Sequence, residues 1–318
     1  MRLKVVLMAF LISLPVWWGF DVFSTYLGEA FYDIQLAKDP RLLAASVNSS
    51  ILDKRLQILK QDNQLKKELG LLNIDAKAVI SVKIDNQGNE KIMLSKNISE
   101  ELPIASLSKL MTVLVASDSH DLYELISINE EIVNQEESFG CLTIGDKLSV
   151  NNLIHSALIE SSNDAAYALS QILGEDKFVE KMNYYCELIG LNNTYFYNPT
   201  GLDKIDKINY STSSDLVKLT RYILREHPEI FKITIKNSYK ITRPNGTLHH
   251  FISESTNKLL KEYPEITGGK TGWSLSANGC LLIILDDPNS NDYYINIVLG
   301  SKDRFGEMGK IIDTILEY

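Results

Sequence analysis

Ser106 and Lys109 stand three residues apart at the start of a predicted helix. The apolar face of that helix comprises Leu107, Leu110, Met111, Leu114 and Val115. Residues with this spacing share one side of a helix, so the amine can reach the hydroxyl. A serine becomes a nucleophile when a base takes its proton, and a partly desolvated lysine can be that base. A helix-capping serine with a solvated lysine gives the same spacing, so the pair alone leaves both interpretations open.

A second polar segment, Ser161-Ser162-Asn163, separates two apolar helical stretches, 153–159 and 165–169. It therefore predicts hydroxyl and amide groups at a junction between two helices. The functional interpretation is a proton shuttle and an amide that holds a substrate. Capping of the second helix is the alternative interpretation.

A third segment is Lys270-Thr271-Gly272, and the overlapping Gly269-Lys270-Thr271 is similar to the end of a phosphate-binding loop. That loop requires a glycine at position 264, where the chain has Pro264, and a following helix, where 273–278 leads into a predicted strand. A lysine and a threonine hydroxyl beside glycines instead suit a cationic groove for a carboxylate. A glycine turn with a solvated lysine remains the alternative.

The three segments follow one another at separations of 55 residues (161 − 106) and 109 residues (270 − 161). This order and spacing resemble those of a known family. From about residue 77 to 318 the chain resembles the serine D-alanyl-D-alanine carboxypeptidases, the low-molecular-mass penicillin-binding proteins. The segments that carry the resemblance are 103–112, 161–165, 198–202, 210–212 with 215–216, 267–272, and 299–301 with 303–305. Ser162 departs from the pattern, because the family usually has glycine there.

The resemblance implies a serine D,D-carboxypeptidase that removes the terminal D-alanine from peptidoglycan stem pentapeptides through an acyl-enzyme on Ser106. It also implies that β-lactams acylate Ser106 as mimics of the substrate. The resemblance further implies that Lys109 is the proton acceptor, with its pKa lowered by burial and by Lys270, and that Ser161 transfers a proton to the leaving D-alanine. It implies that Asn163 binds the substrate amide and that Lys270 and Thr271 bind the terminal carboxylate. The backbone amides of Ser106 and Trp273 would form the oxyanion hole.

Three alternatives stay open at this stage. A D,D-endopeptidase would cleave crosslinks with the same residues. A class A-type β-lactamase would need a glutamate that activates the deacylating water, and Glu187, in a predicted helix, is the nearest candidate. A catalytically silent wall-binding scaffold is the third alternative, although none of the reactive groups is missing from the sequence.

Composition narrows the range of partners. With 41 acidic and 32 basic side chains the net charge is −9, which argues against a nucleic-acid partner. The five histidines and three cysteines form no zinc-ligand pattern, so we expect no metal and no cofactor. Cys141 and Cys186 could pair in an oxidising compartment, but separate buried thiols are the favoured interpretation.

The pattern of elements predicts an α+β fold, because strands at both ends of the main segment flank a helical middle. We expect a helical connector over 21–75, with a solvated spacer helix over 51–72 that stops near Gly70. A catalytic domain over 76–318 follows, with its sheet part at 76–105 and 265–318 and a mainly helical part at 106–264. The family resemblance implies the serine β-lactamase/transpeptidase-like fold, an antiparallel sheet flanked by helices plus an all-helical subdomain.

The first 20 residues predict the location of the protein. Arg2 and Lys4 precede an apolar run over 5–20, and Asp21 follows it, which is the charge order of an exported segment. We expect a single membrane anchor with the catalytic domain outside the cytoplasm. The end of the chain at Tyr318, where many family members continue, supports the same expectation. Secretion after cleavage of a signal peptide is the alternative.

Overall fold

The structure, a computed structural model, describes residues 40–135 and 141–318. The predicted anchor at 1–20 and the first part of the predicted connector lie outside the described residues. Within the described residues, none of the helices combines the length and the apolar character that a membrane crossing requires.

The described part contains nine α-helices, eleven strands and two short 3₁₀ helices. In chain order they are α1 (Pro40–Leu71), β1 (Ala78–Ile84), β2 (Glu90–Lys96), β3 (Leu102–Pro103), a 3₁₀ helix (Ala105–Ser108), α2 (Lys109–Ser119), β4 (Leu125–Ser127), α3 (Glu130–Val133), β5 (Lys147–Ser149), α4 (Val150–Ile159), α5 (Asn163–Ser170), α6 (Glu175–Ile189), β6 (Tyr210–Ser211), α7 (Ser213–Glu226), α8 (Glu229–Thr234), β7 (Tyr239–Thr242), β8 (Leu248–Ile252), a 3₁₀ helix (Lys258–Lys261), β9 (Ile266–Ser274), β10 (Asn278–Asp286), β11 (Tyr293–Ser301) and α9 (Arg304–Leu316).

A five-stranded antiparallel sheet in the order β2-β1-β11-β10-β9 organises this part of the chain. Strand β1 pairs with β11, so that Ala78 lies opposite Leu299 and Ile84 opposite Tyr293. The sheet therefore joins the two ends of the main segment, and the predicted α+β architecture is confirmed.

Alternation along the strands sends side chains into two cores. Ile80 of β1 and Leu282 of β10 belong to the core shared with the helical middle of the chain. Their neighbours Val79 and Leu281 belong to a second core that includes Ile311 of α9. Because successive side chains of a strand point to opposite faces, both faces of these strands are covered.

The chain divides into two compact units, Met1–Asn63 and Gln64–Tyr318. In the first unit the described side chains of α1 are mostly exposed, as expected of a spacer. In the second unit Leu65 and Leu69 are buried in the core that includes α9. The prediction of a solvated helix is wrong for this last stretch, because its second leucine stripe packs against apolar side chains. The helix ends at Leu71, one residue after the expected stop at Gly70.

The lysine–threonine–glycine segment lies within strand β9, at the edge of the sheet. A Cβ on Gly269 would come within 2.7 Å of the carbonyl oxygen of Leu282 on the neighbouring strand. Glycine has low strand propensity, but here it permits close approach of the two backbones. The alternative of a glycine turn with a solvated lysine is therefore wrong.

Candidate active site

Ser106 lies in the 3₁₀ helix that precedes α2, beside a strained backbone position. Ala105 has a φ of +46°, which is uncommon for a residue with a side chain. Ser108 holds this turn by donating from Oγ to the Ala105 carbonyl at 2.8 Å, and Asn209 donates from Nδ2 to the Ser108 Oγ at 2.9 Å. Leu107 is fully buried, which fixes the turn on the core. Ser106 is thereby held half-buried at a cavity.

Two glycines allow other segments to approach the Ser106 backbone closely. A Cβ on Gly201, whose φ is +83°, would lie 2.1 Å from the carbonyl oxygen of Ala105. A Cβ on Gly272 of β9 would lie 2.9 Å from the carbonyl oxygen of Ile104 and 3.2 Å from the nitrogen of Ser106. Only glycine fits at these positions. Strand β9 consequently runs directly past the nucleophile candidate.

Lys109 is fully buried and its ammonium group is surrounded by acceptors. Nζ lies 2.8 Å from the Oγ of Ser106, 2.7 Å from the Oδ1 of Asn163 and 2.7 Å from the carbonyl oxygen of Thr200. A buried lysine in contact with a serine hydroxyl is placed to exchange a proton with it.

The loop that supplies the Thr200 carbonyl is fixed by two asparagines. The Oδ1 of Asn198 accepts from the backbone nitrogens of Thr200 at 3.1 Å and Gly201 at 2.8 Å. The Oδ1 of Asn209 accepts from the backbone nitrogens of Tyr197 and Asn198. These contacts replace regular secondary structure and set the position of the carbonyl that faces Lys109.

Ser161 and Lys270 form a second serine–lysine pair. Ser161 lies between α4 and α5 with a φ of +64°. Capping of α5 is performed by its neighbour Ser162, whose Oγ accepts from the Ala165 nitrogen at 3.1 Å. Lys270 donates from Nζ to the Ser161 Oγ at 2.8 Å and to the Thr271 carbonyl at 3.0 Å.

The environment of Lys270 disfavours its charged form. Burial lowers the pKa of Lys270 to about 7, and the positive charge of Arg304 acts in the same direction. Arg304 donates from Nη1 to the Gly272 carbonyl at 2.9 Å. Burial also lowers the pKa of Arg304, yet an arginine stays charged at neutral pH. This end of the site is therefore cationic.

The site surrounds a cavity of about 200 Å³. Its lining residues are Ser106, Glu160, Ser161, Asn163, Thr256, Thr271, Gly272, Trp273 and Arg304. Thr271 and Thr256 are joined through their hydroxyls at 2.7 Å. Trp273 is 54% exposed and forms the outer rim.

All seven residues predicted from the sequence come together here. Five line the cavity, and Lys109 and Lys270 are hydrogen-bonded to its two serines. Sequence reasoning gave no role to Glu160, Thr256 and Arg304. The sequence features that could have indicated them were weak. Glu160 merely precedes Ser161, and Arg304 lies in a short segment near the end of the chain. Thr256 lies in a second Ser-x-x-Lys match, at 255–258.

A larger open groove of about 840 Å³ lies along α6, α7 and β11. Its basic side chains are already paired: Arg225 with Glu226 at 2.5 Å and Lys218 with Asp215 at 2.8 Å. Arg221 is paired with a glutamate as well. Among the described residues, none that lines this groove is a serine or a cysteine, so size alone does not make it the reactive site.

Comparisons with known proteins agree with this geometry. Residues 63–303 match the family model described as D-alanyl-D-alanine carboxypeptidase. The chain is 30% identical over 264 residues to the D-alanyl-D-alanine carboxypeptidase DacF of Bacillus subtilis, an alignment that covers 80% of this chain and 64% of that protein. The chain thus spans less than two thirds of that relative's length.

A second relative is the D-alanyl-D-alanine endopeptidase of Pseudomonas aeruginosa, 31% identical over 241 residues, with 74% of each chain covered. Among solved structures, the fold is similar to penicillin-binding protein D2 of Listeria monocytogenes in its cefotaxime-bound form. That similarity has a TM-score of 0.66 and 27% identity, and it covers 76% of this chain and 98% of the other.

Proposed function

Because the chain belongs to the D-alanyl-D-alanine carboxypeptidase family, we propose that it is a serine D,D-carboxypeptidase acting on peptidoglycan stem pentapeptides. The observation that carries the proposal is the 2.8 Å contact between Lys109 Nζ and Ser106 Oγ, at a cavity that Ser161 and Thr271 also line. A nucleophile, its base and a cationic end for a carboxylate are the parts that this reaction needs.

In the proposed acylation step, Lys109 accepts the proton of the Ser106 hydroxyl while Oγ attacks the carbonyl carbon between the two terminal D-alanines. The backbone nitrogens of Ser106 and Trp273 stabilise the negative charge that develops on the carbonyl oxygen. When the carbon–nitrogen bond breaks, Ser161 relays the proton taken up by Lys109 to the leaving nitrogen of D-alanine, so that Lys109 is neutral again and Ser161 keeps its hydroxyl. Water then hydrolyses the ester on Ser106 and releases the shortened peptide.

Substrate binding uses the cationic end of the cavity. Thr271 offers a hydroxyl and Lys270 an ammonium group to the terminal carboxylate, and Arg304 adds a charge that persists when Lys270 is neutral. Asn163, whose Oδ1 is held by Lys109 at 2.7 Å, is placed to bind the peptide amide. A free carboxylate on the substrate is therefore expected to matter for affinity.

We further propose that penicillins and other β-lactams acylate Ser106 and leave a long-lived ester. The test is labelling of the protein with a fluorescent penicillin, together with D-alanine release from a stem pentapeptide. Ser106→Ala should abolish both signals. Ser255→Ala is the matched control, since Ser255 and Lys258 have the same Ser-x-x-Lys spacing but do not line the cavity, and it should retain both. Labelling and D-alanine release by Ser106→Ala would overturn the proposal.

A D,D-endopeptidase is the second candidate function, favoured by the Pseudomonas aeruginosa relative of that name. Incubation with a crosslinked peptide dimer distinguishes the two activities, because only an endopeptidase converts the dimer to monomers. The class A-type β-lactamase loses the glutamate that the sequence offered for it, since Glu187 is exposed on α6 and does not line the cavity. Rapid turnover of penicillin in place of stable labelling would restore it.

We propose that residues 1–20 form a retained membrane anchor and that the catalytic part lies outside the cytoplasm. The support is the sequence itself, with Arg2 and Lys4 before the apolar run and Asp21 after it. Mass spectrometry of the protein from membrane and soluble fractions tests this proposal. A membrane-bound protein that retains its first residues supports it. A soluble protein that begins near Phe31, after the small-x-small sequence Gly28-Glu29-Ala30 of a signal-peptide cleavage site, contradicts it.

A further inference from the structure

Four side chains beside the candidate active site are joined in a row, which we call the histidine chain: Asp146, His249, His250 and Glu160. His249 Nε2 lies 2.8 Å from the Oδ2 of Asp146. The Nδ1 atoms of His249 and His250 lie 2.7 Å apart. His250 Nε2 lies 3.1 Å from the Oε1 of Glu160.

The two imidazoles of the histidine chain are largely shielded from water, so their contacts must be satisfied within the protein. The His249 side chain is 2% exposed and that of His250 is 11% exposed. Leaving two acceptors in contact at such a position carries a large desolvation cost. Within the described part of the chain, no group of three or more acidic, histidine and cysteine side chains has a metal-binding arrangement. Each contact of the histidine chain needs a hydrogen between its two atoms.

Each end of the histidine chain is a carboxyl group that also accepts a hydrogen bond from a donor outside the row. Asp146 Oδ2 also accepts from the Thr143 hydroxyl at 2.6 Å. Burial opposes ionisation of Asp146, but hydrogen bonds from Thr143 and His249 lower its pKa to about 2. Glu160 Oε1 also accepts from the Ser156 hydroxyl at 2.6 Å. An ionised Asp146 is an acceptor only, so its contact with His249 needs an N–H on the imidazole.

The number of hydrogens that the contacts need determines the protonation state of the histidine chain. The three contacts of the histidine chain need one hydrogen each, whereas two neutral imidazoles supply only two. If His250 donates to Glu160 and accepts from His249, then His249 must carry a second proton to reach Asp146. The opposite direction of donation places the additional proton on His250 or on Glu160. Every arrangement that satisfies all three contacts contains one proton more than the neutral imidazoles provide.

Glu160 connects this row to the reactive end of the cavity. It is the residue between the end of α4 and Ser161, and its side chain lines the same cavity as Ser106. The preceding carbonyl, of Ile159, accepts from the Thr256 nitrogen at 3.0 Å. Ser161 has a φ of +64°, and such a conformation persists only where the surrounding contacts impose it.

We propose that the histidine chain holds one additional proton and that Glu160, fixed by it, is a positioning residue for Ser161. The inference rests on the proposed function for the role of Ser161, but not for the proton count. As the pH rises the proton is lost, one contact becomes an acceptor against an acceptor, and the row opens. Ser161 is then less firmly placed, and acylation of Ser106 slows.

Other charged groups border the histidine chain and affect the pH dependence that we expect. The Nη2 of Arg243, in the turn between β7 and β8, lies 3.6 Å from the Oδ1 of Asp146 and favours its ionised form. Glu254 lines a neighbouring pocket with Glu160 but is paired with Lys261 at 2.5 Å. On the far side of Ser161 lies Lys270, whose pKa is lowered to about 7 by burial and by Arg304, so it adds a pH dependence of its own.

Glu160→Gln is the decisive variant, because a side-chain amide can donate to His250. All three contacts are then satisfied with two neutral imidazoles, so the additional proton is no longer needed. The first measurement is a ¹⁵N–¹H NMR spectrum of the histidine side chains near neutral pH. The wild type should show three N–H protons on His249 and His250, or two together with a protonated Glu160 carboxyl in the ¹³C spectrum, whereas Glu160→Gln should show two. Two N–H protons together with an ionised Glu160 in the wild type would overturn the proton count.

The second measurement is the rate of acylation by a fluorescent penicillin across about pH 6 to 9. The wild-type rate should fall with rising pH on two limbs. One comes from Lys270, and Glu160→Gln keeps it because penicillin carries a free carboxylate; the other, of about tenfold, Glu160→Gln lacks, a loss typical of one broken hydrogen bond to a charged group. His227→Gln is the matched control, since His227 contacts Glu229 outside the site, and it should keep both limbs. Identical profiles for Glu160→Gln and the wild type would overturn the positioning role. If no protein is labelled while the N–H count holds, the proposed function fails and the histidine chain stands.

Discussion

The candidate site contains two serine–lysine pairs with the same separation and different construction. Lys109 and Ser106 are 2.8 Å apart and lie one helical turn apart in the chain. Lys270 and Ser161 are also 2.8 Å apart but are 109 residues apart in the chain. The first pair is held by local geometry at the start of α2, whereas the second exists only because β9 packs beside the α4–α5 junction.

The surroundings of the two lysines indicate different chemical roles. Lys109 faces two side-chain oxygens and a backbone carbonyl, which suits a group that exchanges a proton with Ser106. Lys270 lies near a second cation, Arg304, and its pKa is lowered to about 7. A lysine whose charge is marginal at neutral pH can both bind a carboxylate and respond to pH. The comparison teaches that equal distances do not imply equal roles.

The largest expected effect separates the two lysines by acylation rate. Lys109→Ala removes the proposed base and should slow acylation by a fluorescent penicillin by about 10³-fold or more. Lys270→Ala leaves Ser106 and Lys109 intact and should slow it by about tenfold to a hundredfold. Stopped-flow fluorescence measures both rates. Equal losses of acylation rate in the two variants would contradict the assignment of different roles to Lys109 and Lys270.

The next effect tests the loop that holds the first pair. Gly201→Ala places a methyl group 2.1 Å from the Ala105 carbonyl at a φ of +83°, so either the loop or the Ser106 turn must move. We expect a loss of about 3 kcal/mol or more in the free energy of unfolding, together with slower acylation. Urea denaturation measures the first and penicillin labelling the second.

Gly190→Ala is the matched control for that variant. Gly190 also has a positive φ, +78°, but an added Cβ there meets no atom within 4 Å. Its cost should be about 1 kcal/mol, the conformational penalty alone, with acylation unchanged. If the two alanine variants lost equal stability and activity, close packing around Ser106 would not be the reason for glycine at position 201.

The local pair was predictable from the sequence, because helical periodicity places Ser106 and Lys109 on one side of a turn. The convergence with Ser161 and Lys270 was predictable only through the family resemblance, since spacing alone does not show which segments meet. The strand over 266–274 was harder to predict. Its glycines lower strand propensity, and they are there because the neighbouring backbone approaches closely.

Other parts of the site depend on contacts that no local pattern encodes. Arg304 enters the cavity because α9 begins beside β9, and its hydrogen bond reaches back to Gly272. The pairing of Glu160 with His250 joins residues 90 positions apart. The burial of Leu65 and Leu69 likewise follows from a tertiary surface, although the leucine spacing itself was visible. Cys141 is an exposed free thiol rather than a buried one, whereas Cys186 and Cys280 are buried.

A smaller effect is the pH dependence of the second pair. Lys270 attracts a carboxylate only when protonated, so kcat/KM for a peptide with a free terminal carboxylate should fall as the pH rises through about 7. Arg304 keeps its charge and limits the fall to about tenfold. An amidated peptide should not show this limb. Lys270→Arg should move the limb to higher pH, and an unchanged profile in that variant would assign it to another group.

The smallest effect concerns stability, and its sign follows from the lowered pKa of Lys270. Burial lowers that pKa from 10.5 to about 7, so at pH 6 the folded protein carries the cost of a buried ammonium group. Between these values the unfolded chain binds more protons than the folded one, and the free energy of unfolding of the wild type therefore rises with pH.

Lys270→Met removes that cost but leaves the Ser161 hydroxyl without its lysine partner. We expect the variant to be more stable than the wild type by about 1 kcal/mol at pH 6, with the difference shrinking or reversing by about pH 9. Urea denaturation at the two pH values measures both free energies. A wild type that is the more stable protein at pH 6, or a difference that does not change with pH, would mean that Lys270 bears no cost of burial. The second pair would then resemble the first more closely than the two environments indicate.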